Sequence, residues 1–206
     1  NPEQLAVLDI LSGDIGRFAV SLLDGVTGSG KTEVYLRLAA AVLARGKGVL
    51  VLVPEISLTP QLLARFRERL GDTVRVLHSG LTESEREQTW QRMRLGLSQV
   101  LLGTRSAIFT PLADLGLVVV DEEHDPSFKQ TEGFRYSARD LAVVRAQRSG
   151  CPVVLGSATP SLESWYNAQA GKFRLLSLPD RIGTAVLPPV RTIDLREVRK
   201  REKPAE

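Results

Sequence analysis

The sequence predicts an α/β domain: a single doubly wound, mostly parallel sheet with helices on both faces. Three observations carry this. Apolar runs of strand length alternate with helical patterns of roughly 10 to 15 residues, the order that right-handed β–α–β units require. The central runs are near-continuous Val and Leu, as strands buried on both faces must be. Small and polar residues gather at the carboxyl ends of these runs, in GVTGSGKT, VPEISLTP, HSG, GTRSAIF, DEEH and GSATP. That is the edge on which open α/β sheets bind ligands.

In chain order, FAVSLLDG (18–25) is a short apolar run ending in glycine. KTEVYLRLAAAVLARG (31–46) has helical spacing and stops at Gly46, and GVLVLVP (48–54) is a buried strand. TPQLLARFRERLG (59–71) is a helix, with Thr59 suited to the N-cap, Pro60 to the first helical position and Gly71 to the end. TVRVLHSG (73–80) is a strand, and TESEREQTWQRMRLG (82–96) a helix opened by a capping box from Thr82 to Glu85. QVLLGTRS (99–106), LGLVVVDEE (115–123) and CPVVLGSA (151–158) are strands. SARDLAVVRAQRSG (137–150) and TPSLESWYNAQAG (159–171) are helices, the second again opening Thr-Pro. Residues 1–178 are expected to form one lobe. From Pro179 the pattern is lost, with four prolines and a basic cluster, so 179–206 reads as an exit segment with one strand near VRTIDL.

The 206 residues, 43% hydrophobic, suffice for one packed core. Against 24 acidic residues stand 27 basic ones, a net charge of +3, which permits nucleic-acid binding without arguing for it. The single cysteine, Cys151, makes no internal disulfide and no cysteine zinc site, so a reducing compartment is the default. No apolar run approaches the ~18 residues of a membrane span, and the N-terminus lacks a signal-peptide pattern. A soluble, cytoplasmic protein is expected. The chain starts without an initiator Met and ends in a charged tail, so it reads as a piece of something longer.

GVTGSGKT, Gly25 to Thr32, fits G-x-x-x-x-G-K-[ST] between a strand and a helix. Gly25, Val26, Thr27, Gly28, Ser29 and Gly30 would wrap a phosphate with backbone N–H groups backed by a helix N-terminus. Lys31 would reach the β- and γ-phosphates of ATP, and the Thr32 hydroxyl would ligate Mg²⁺. A glycine-rich turn is the bland alternative. The site needs a second carboxylate on a neighbouring strand, and VVVDEE supplies it. Asp121 is the metal-side acid, and Glu122 faces the γ-phosphate, where it can orient or deprotonate the attacking water. His124 either couples the nucleotide to a neighbouring element or is a polar loop residue. His78 is the only other histidine, which argues against zinc.

GVTGSGKT, DEEH and GSATP resemble motifs I, II and III of superfamily 2 helicases, whose lobes are RecA-like. VPEISLTPQL (53–62) resembles motif Ia, and GTRSAIFTPL (103–112) the segment lining the DNA path. TGSGKTEVY, PEISLTPQ, GTRSAIF, DEEHDPSFKQ and GSATPSLES together are similar to the bacterial replication-restart (primosomal) helicases, from NPEQ to at least TIDLRE. The resemblance implies a 3′ to 5′ DNA motor that remodels stalled forks and D-loops, with single-stranded and forked DNA, primosome proteins and single-stranded-DNA-binding protein as partners. It implies that Gln4 reads the adenine edge and that Ser157 and Thr159 link nucleotide state to DNA grip. SFKQTEGFRYSARD resembles the family's aromatic-rich loop, which couples DNA binding to ATP hydrolysis. Phe128, Phe134 and Tyr136 would stack on bases, with Lys129 and Arg135 at phosphates; packing under a loop is the alternative for each. Arg105 and Ser106 would hold a DNA phosphate, or Arg105 is a surface residue. The resemblance also implies a second lobe bearing an arginine finger, an N-terminal DNA-binding region and zinc-binding cysteines, none of which this sequence contains. The fragment alone is expected to bind nucleotide, hydrolyse it weakly and unwind nothing. Three other readings stand beside this one: a double-strand translocase, a small-molecule P-loop kinase, and a nucleic-acid module with a vestigial ATP site.

Overall fold

In the computed structural model, which describes residues 2–182, the elements run in this order. They are α1 (Pro2–Gly13), β1 (Ala19–Gly25), α2 (Lys31–Leu43), β2 (Gly48–Leu52), α3 (Pro60–Leu70), β3 (Val74–Leu77), α4 (Glu83–Arg94), β4 (Val100–Gly103), β5 (Leu115–Asp121), β6 (Lys129–Gln130), β7 (Tyr136–Ser137), α5 (Ala138–Ser149), β8 (Pro152–Ser157), α6 (Leu162–Gln169) and β9 (Arg174–Leu178). Seven strands form one sheet in the order β3-β4-β2-β5-β8-β1-β9. Every neighbouring pair in it is parallel. All carboxyl ends therefore share one edge, as the sequence requires. Strands β6 and β7 pair with each other as a short antiparallel ribbon outside that sheet.

The continuous apolar runs divide by parity. Leu117 and Val119 enter the core beneath α2, while Val118 and Val120 enter the opposite one, because successive side chains of a strand face opposite ways. The first core takes Val7, Leu8 and Leu11 of α1, Val34 and Leu38 of α2, and Phe66 of α3. The second takes Met93 of α4 and Ala138, Ala142 and Ala146 of α5. Small alanines let α5 lie close on β5 and β8.

The caps read from sequence are present. Thr59 accepts from Leu62 N–H, with Pro60 opening α3. Thr82 and Glu85 form the reciprocal capping box of α4. The last helix corrects its expected start. Thr159 and Pro160 lie outside it, and Ser161 is the N-cap, its hydroxyl accepting from Ser164 N–H. Four elements carry too little periodicity to announce themselves. In α1 the exposed Leu5 and Ile10 blur the buried stripe, β9 is a short edge strand, and β6 and β7 have two residues each. Val26 N–H donates to Leu178 and Ile182 N–H to Gly28, so the chain stays on the phosphate loop through Ile182. The strand expected near VRTIDL lies outside the described residues.

Helix α2 carries the phosphate loop's lysine and is anchored by the fully buried Leu38. Leu38→Ala should lower unfolding stability by about 2–5 kcal/mol with the fold retained, as read by urea denaturation.

Candidate nucleotide site at the carboxyl edge of the sheet

The turn between β1 and α2 needs its glycines. Gly28 and Gly30 take φ of 84° and 89°, the left-handed region open to glycine at no steric cost. A Cβ on Gly30 would lie 2.0 Å from Gln4 Nε2. Helix α2 starts at Lys31 with no side-chain cap, leaving its N-terminal N–H groups and positive dipole end for a ligand. Ser29 Oγ is buried without a partner, an unmet polar atom inside the loop. Lys31 is 8% exposed; its ammonium donates to the Gly25 carbonyl at 2.7 Å and lies 3.7 Å from Glu122 Oε1. A cleft of about 790 Å³ opens beside it, lined by Val26, Thr27, Gly28, Thr32, Asp121 and Glu122 among others. Its size, uncapped helix end and orphan hydroxyl fit a nucleotide's phosphates.

Four charged or titratable residues leave the end of β5 in four directions. Asp121 keeps the parity of Leu117 and Val119 and faces α2, where the Tyr35 hydroxyl donates to its Oδ1 at 3.0 Å. Burial, then the neighbouring Glu122 carboxylate, pushes the Asp121 acid up to about 6. Glu122 has φ of 48°, left-handed for a residue with a Cβ, and its carboxylate sits between Lys31 and His124, whose Nδ1 is 3.6 Å away. That turn reverses the parity of the residues after it. Glu123, 2% exposed, points into the α5–α6 side. It accepts from Ser161 N–H at 2.7 Å, Ser161 Oγ at 3.0 Å, Ser164 Oγ at 2.8 Å and the Arg139 guanidinium at 3.3 Å. His124 Nδ1 is 2.7 Å from Ser157 Oγ, and Ser157 Oγ accepts from Thr159 N–H at 2.9 Å. Thus DEEH and GSATP meet through His124 and Ser157.

Asp121 and Thr32 are the residues here that would hold Mg²⁺, with phosphate oxygens and water completing its shell. The fit rests on a desolvated carboxylate short of compensating charge, in a cleft shared with Thr32. Among the described residues, no group of three or more His, Cys, Asp or Glu could hold a metal by itself.

Gln4 is placed under the loop rather than open to the cleft. It is 5% exposed, and its amide donates to the Ser29 carbonyl at 3.0 Å. Phe128 requires a correction. It is 1% exposed within the second core, so it offers no ring face to a base. Phe134 is 76% exposed and packs with Tyr136 at 5.8 Å between centroids. Phe109, 54% exposed, completes the group edge-on to Tyr136 at 4.9 Å. Sequence reasoning missed Phe109 because it arrives from the turn after β4. Arg105, expected at a phosphate, donates to the Ser127 and Lys129 carbonyls at 3.2 and 3.1 Å and so ties that turn to the aromatic loop. Ser106 beside it and Arg135 in the loop are exposed, and Lys129 lies 3.6 Å from Glu163. The importance of Glu123 was also missed: its four donor groups belong to Arg139, Ser161 and Ser164, far from it in sequence.

A parallel sheet with a glycine phosphate loop after β1, facing a carboxylate at the end of β5, is the nucleotide lobe of a P-loop NTPase. The DEAD/DEAH box helicase family matches residues 1–167, and the chain belongs to that family. It is 50% identical over 184 residues to the replication restart protein PriA of Bacillus subtilis (strain 168), covering 89% of this chain and 23% of the relative. To the PriA of Synechocystis sp. it is 54% identical over 180 residues, 85% and 22% of the two chains. This chain therefore spans about a quarter of the length of these relatives. Its fold is similar to RecG bound to a three-way DNA junction, with a TM-score of 0.63 and 24% identity over 97% of this chain and 26% of that one. It is also similar to the Pyrococcus furiosus Hef helicase domain, with a TM-score of 0.59 and 20% identity over 85% and 37%. These likenesses establish the RecA-like helicase fold. No helix among the described residues is long and apolar enough to cross a membrane.

The raised Asp121 acid gives a test in chelator-treated protein. Its folded value, about 6, exceeds that of the unfolded chain, so the folded state holds more protons between pH 4 and 6. This group's contribution to stability falls as pH rises through that window, and its penalty is full at pH 7. Asp121→Asn should raise unfolding stability at pH 7 by up to about 3 kcal/mol, with the gain fading towards pH 4. Glu123→Ala should cost about 1–3 kcal/mol, because the buried donors of Ser161 and Ser164 lose their acceptor while Arg139 keeps Asp140 and Glu163, measured by the same denaturation.

Proposed function

We propose that this chain is the ATP-binding motor lobe of a DNA helicase of the replication-restart type, one that uses ATP to move 3′ to 5′ along single strands and remodel stalled forks and D-loops. The observation that carries the reading is the pairing, across one cleft, of Lys31 with a carboxylate run split by the turn at Glu122. Asp121 is turned to the loop helix and Glu122 to the open cleft. The 45–54% identity to PriA proteins supports the choice of branch within the family.

In this reading the phosphates of ATP take the N–H groups of the Gly28–Thr32 turn, and the Lys31 ammonium leaves the Gly25 carbonyl for them. Thr32 and Asp121 hold Mg²⁺, which neutralises charge building on the phosphates when bound. Glu122, partly exposed and beside Lys31, orients and deprotonates the attacking water. His124 senses the Glu122 side of the cleft and passes its position to Ser157 and the Thr159 backbone. The Phe109, Phe134 and Tyr136 rings offer stacking faces to single-stranded bases without sequence preference, with Arg135 and Ser106 near the backbone. The transition-state arginine comes from a second lobe elsewhere in the longer protein, so the isolated chain binds nucleotide, hydrolyses it weakly and does not unwind. Primosome proteins and single-stranded-DNA-binding protein are its proposed partners there.

The test is steady-state ATP hydrolysis, with and without single-stranded DNA, by the full-length protein. Strong stimulation that Glu122→Gln abolishes, by 10²-fold or more, is expected; hydrolysis indifferent to DNA would sink the motor reading. Phe134→Ala with Tyr136→Ala should cut the stimulation several-fold and leave nucleotide affinity alone. In the isolated lobe, Lys31→Ala should remove the thermal shift induced by ATP analogues.

A further inference from the structure

Tyr35 lies one helical turn beyond Lys31 on α2, so both project from one face of that helix. It is 2% exposed. Its hydroxyl donates to Asp121 Oδ1 at 3.0 Å, although α2 follows β1 and β8 stands between β1 and β5 in the sheet. The phenol therefore crosses β8, and it does so at Gly156, the residue registered beside Asp121. A Cβ at Gly156 would lie 1.7 Å from the Tyr35 oxygen and 2.9 Å from Cζ. No other residue type leaves that path open. The glycine of GSATP is thus the passage through which the phosphate-loop helix reaches the carboxylate of DEEH.

We infer that Tyr35 is a positioning residue for the cation-side carboxylate, fixing the rotamer of Asp121 so that the site is set before Mg²⁺ arrives, with Gly156 keeping the way clear. This rests on the reading of Asp121 as the Mg²⁺ residue. A hydrogen bond to an acidic ligand from a buried donor is the usual means of orienting a metal-binding carboxylate. A buried phenol that merely packed would need some polar partner, but nothing in packing would require that partner to be Asp121.

The test is fluorescence titration of a methylanthraniloyl-labelled ADP, with and without Mg²⁺, on the full-length protein and its Tyr35→Phe and Asp121→Asn variants. Thermal melting checks that each variant is folded. Tyr35→Phe keeps the ring and removes only the donor. It should leave Mg²⁺-free nucleotide affinity within about 2-fold of the wild type and raise the Mg²⁺ half-saturation about 10-fold or more. An unchanged Mg²⁺ curve in Tyr35→Phe, with Mg²⁺ dependence lost in Asp121→Asn, would leave the site reading intact and reduce Tyr35 to packing. If Asp121→Asn keeps the wild-type Mg²⁺ curve, the cation role of Asp121 fails and the inference fails with it. Gly156→Ala, which drives the phenol off its path, should reproduce the Mg²⁺ defect; normal Mg²⁺ dependence in a folded Gly156→Ala variant would also count against it.

Discussion

The site depends on one backbone turn. At the end of β5 the chain must aim Asp121, Glu122, Glu123 and His124 at four different targets, and an extended strand can offer only two directions. The left-handed conformation of Glu122, φ 48°, supplies the others. It costs on the order of 1–2 kcal/mol for a residue with a Cβ, so something must hold it. Glu123 N–H donates to the Gly156 carbonyl at 2.9 Å and Asp125 N–H to that of Glu122 at 2.8 Å. Beyond these, the Glu123 carboxylate is clamped by donors from α5, α6 and its cap. A carboxylate buried this deeply is tolerable only when its oxygens are met on all sides. That same satisfaction fixes the turn.

From that turn two physical connections run outward. One passes from Glu122 to His124, Ser157 and the Thr159 backbone, all within hydrogen-bonding or ion-pair distance. The other passes from Glu123 to Arg139, which stands at the exit of the aromatic loop and also reaches Ser161 Oγ at 2.7 Å. The loop's entry is held separately, by Arg105 on the Ser127 and Lys129 carbonyls and by the buried ring of Phe128. The exposed ring of Phe134 and the half-buried ring of Tyr136 therefore sit on a segment braced at both ends, and one brace binds Glu123, the neighbour of the cleft residue Glu122. A change in the Glu122 turn has a contiguous route of packed and bonded groups to that face.

Local patterns were legible in the sequence, and so were sites built from one segment. The strands declare themselves because burial on both faces demands unbroken Val and Leu, and the phosphate loop because its residues are consecutive. The caps of α3 and α4 are short-range chemistry and hold as read. Whatever depends on residues meeting from afar could not be read. Glu123 looks like one more surface acid until Arg139, Ser161 and Ser164 surround it. Phe128, Phe134 and Tyr136 look alike in sequence, yet the first ring is core, the second is exposed and the third is half-buried against the core. Phe109 joins them only because the turn after β4 is stapled to the loop. Thr159-Pro160 imitates a helix start, but Ser157 Oγ holds Thr159 N–H in a turn before the helix, and the hydroxyl that caps it is that of Ser161.

Several of the places where this structure departs from the ordinary rules of a stable core lie together. Ser29 Oγ has no partner. Asp121 is raised to about 6, because Lys31 and Tyr35 together do not offset its burial and the Glu122 charge beside it. Glu122 is one of two described non-glycine residues with a left-handed φ, the other being Asp114 before β5, and the Lys31 ammonium is held on a backbone carbonyl. Each is a local cost, and each but Asp114 borders the cleft or lies in the loop that forms it. A stable fold has no reason to concentrate such costs unless a ligand relieves them. An anion on the loop would meet the orphan donors, and a cation at Asp121 would supply the missing positive charge. Binding would then stabilise the folded state by the amount these groups now withhold, so the strain at the site and its affinity are two readings of the same free energy.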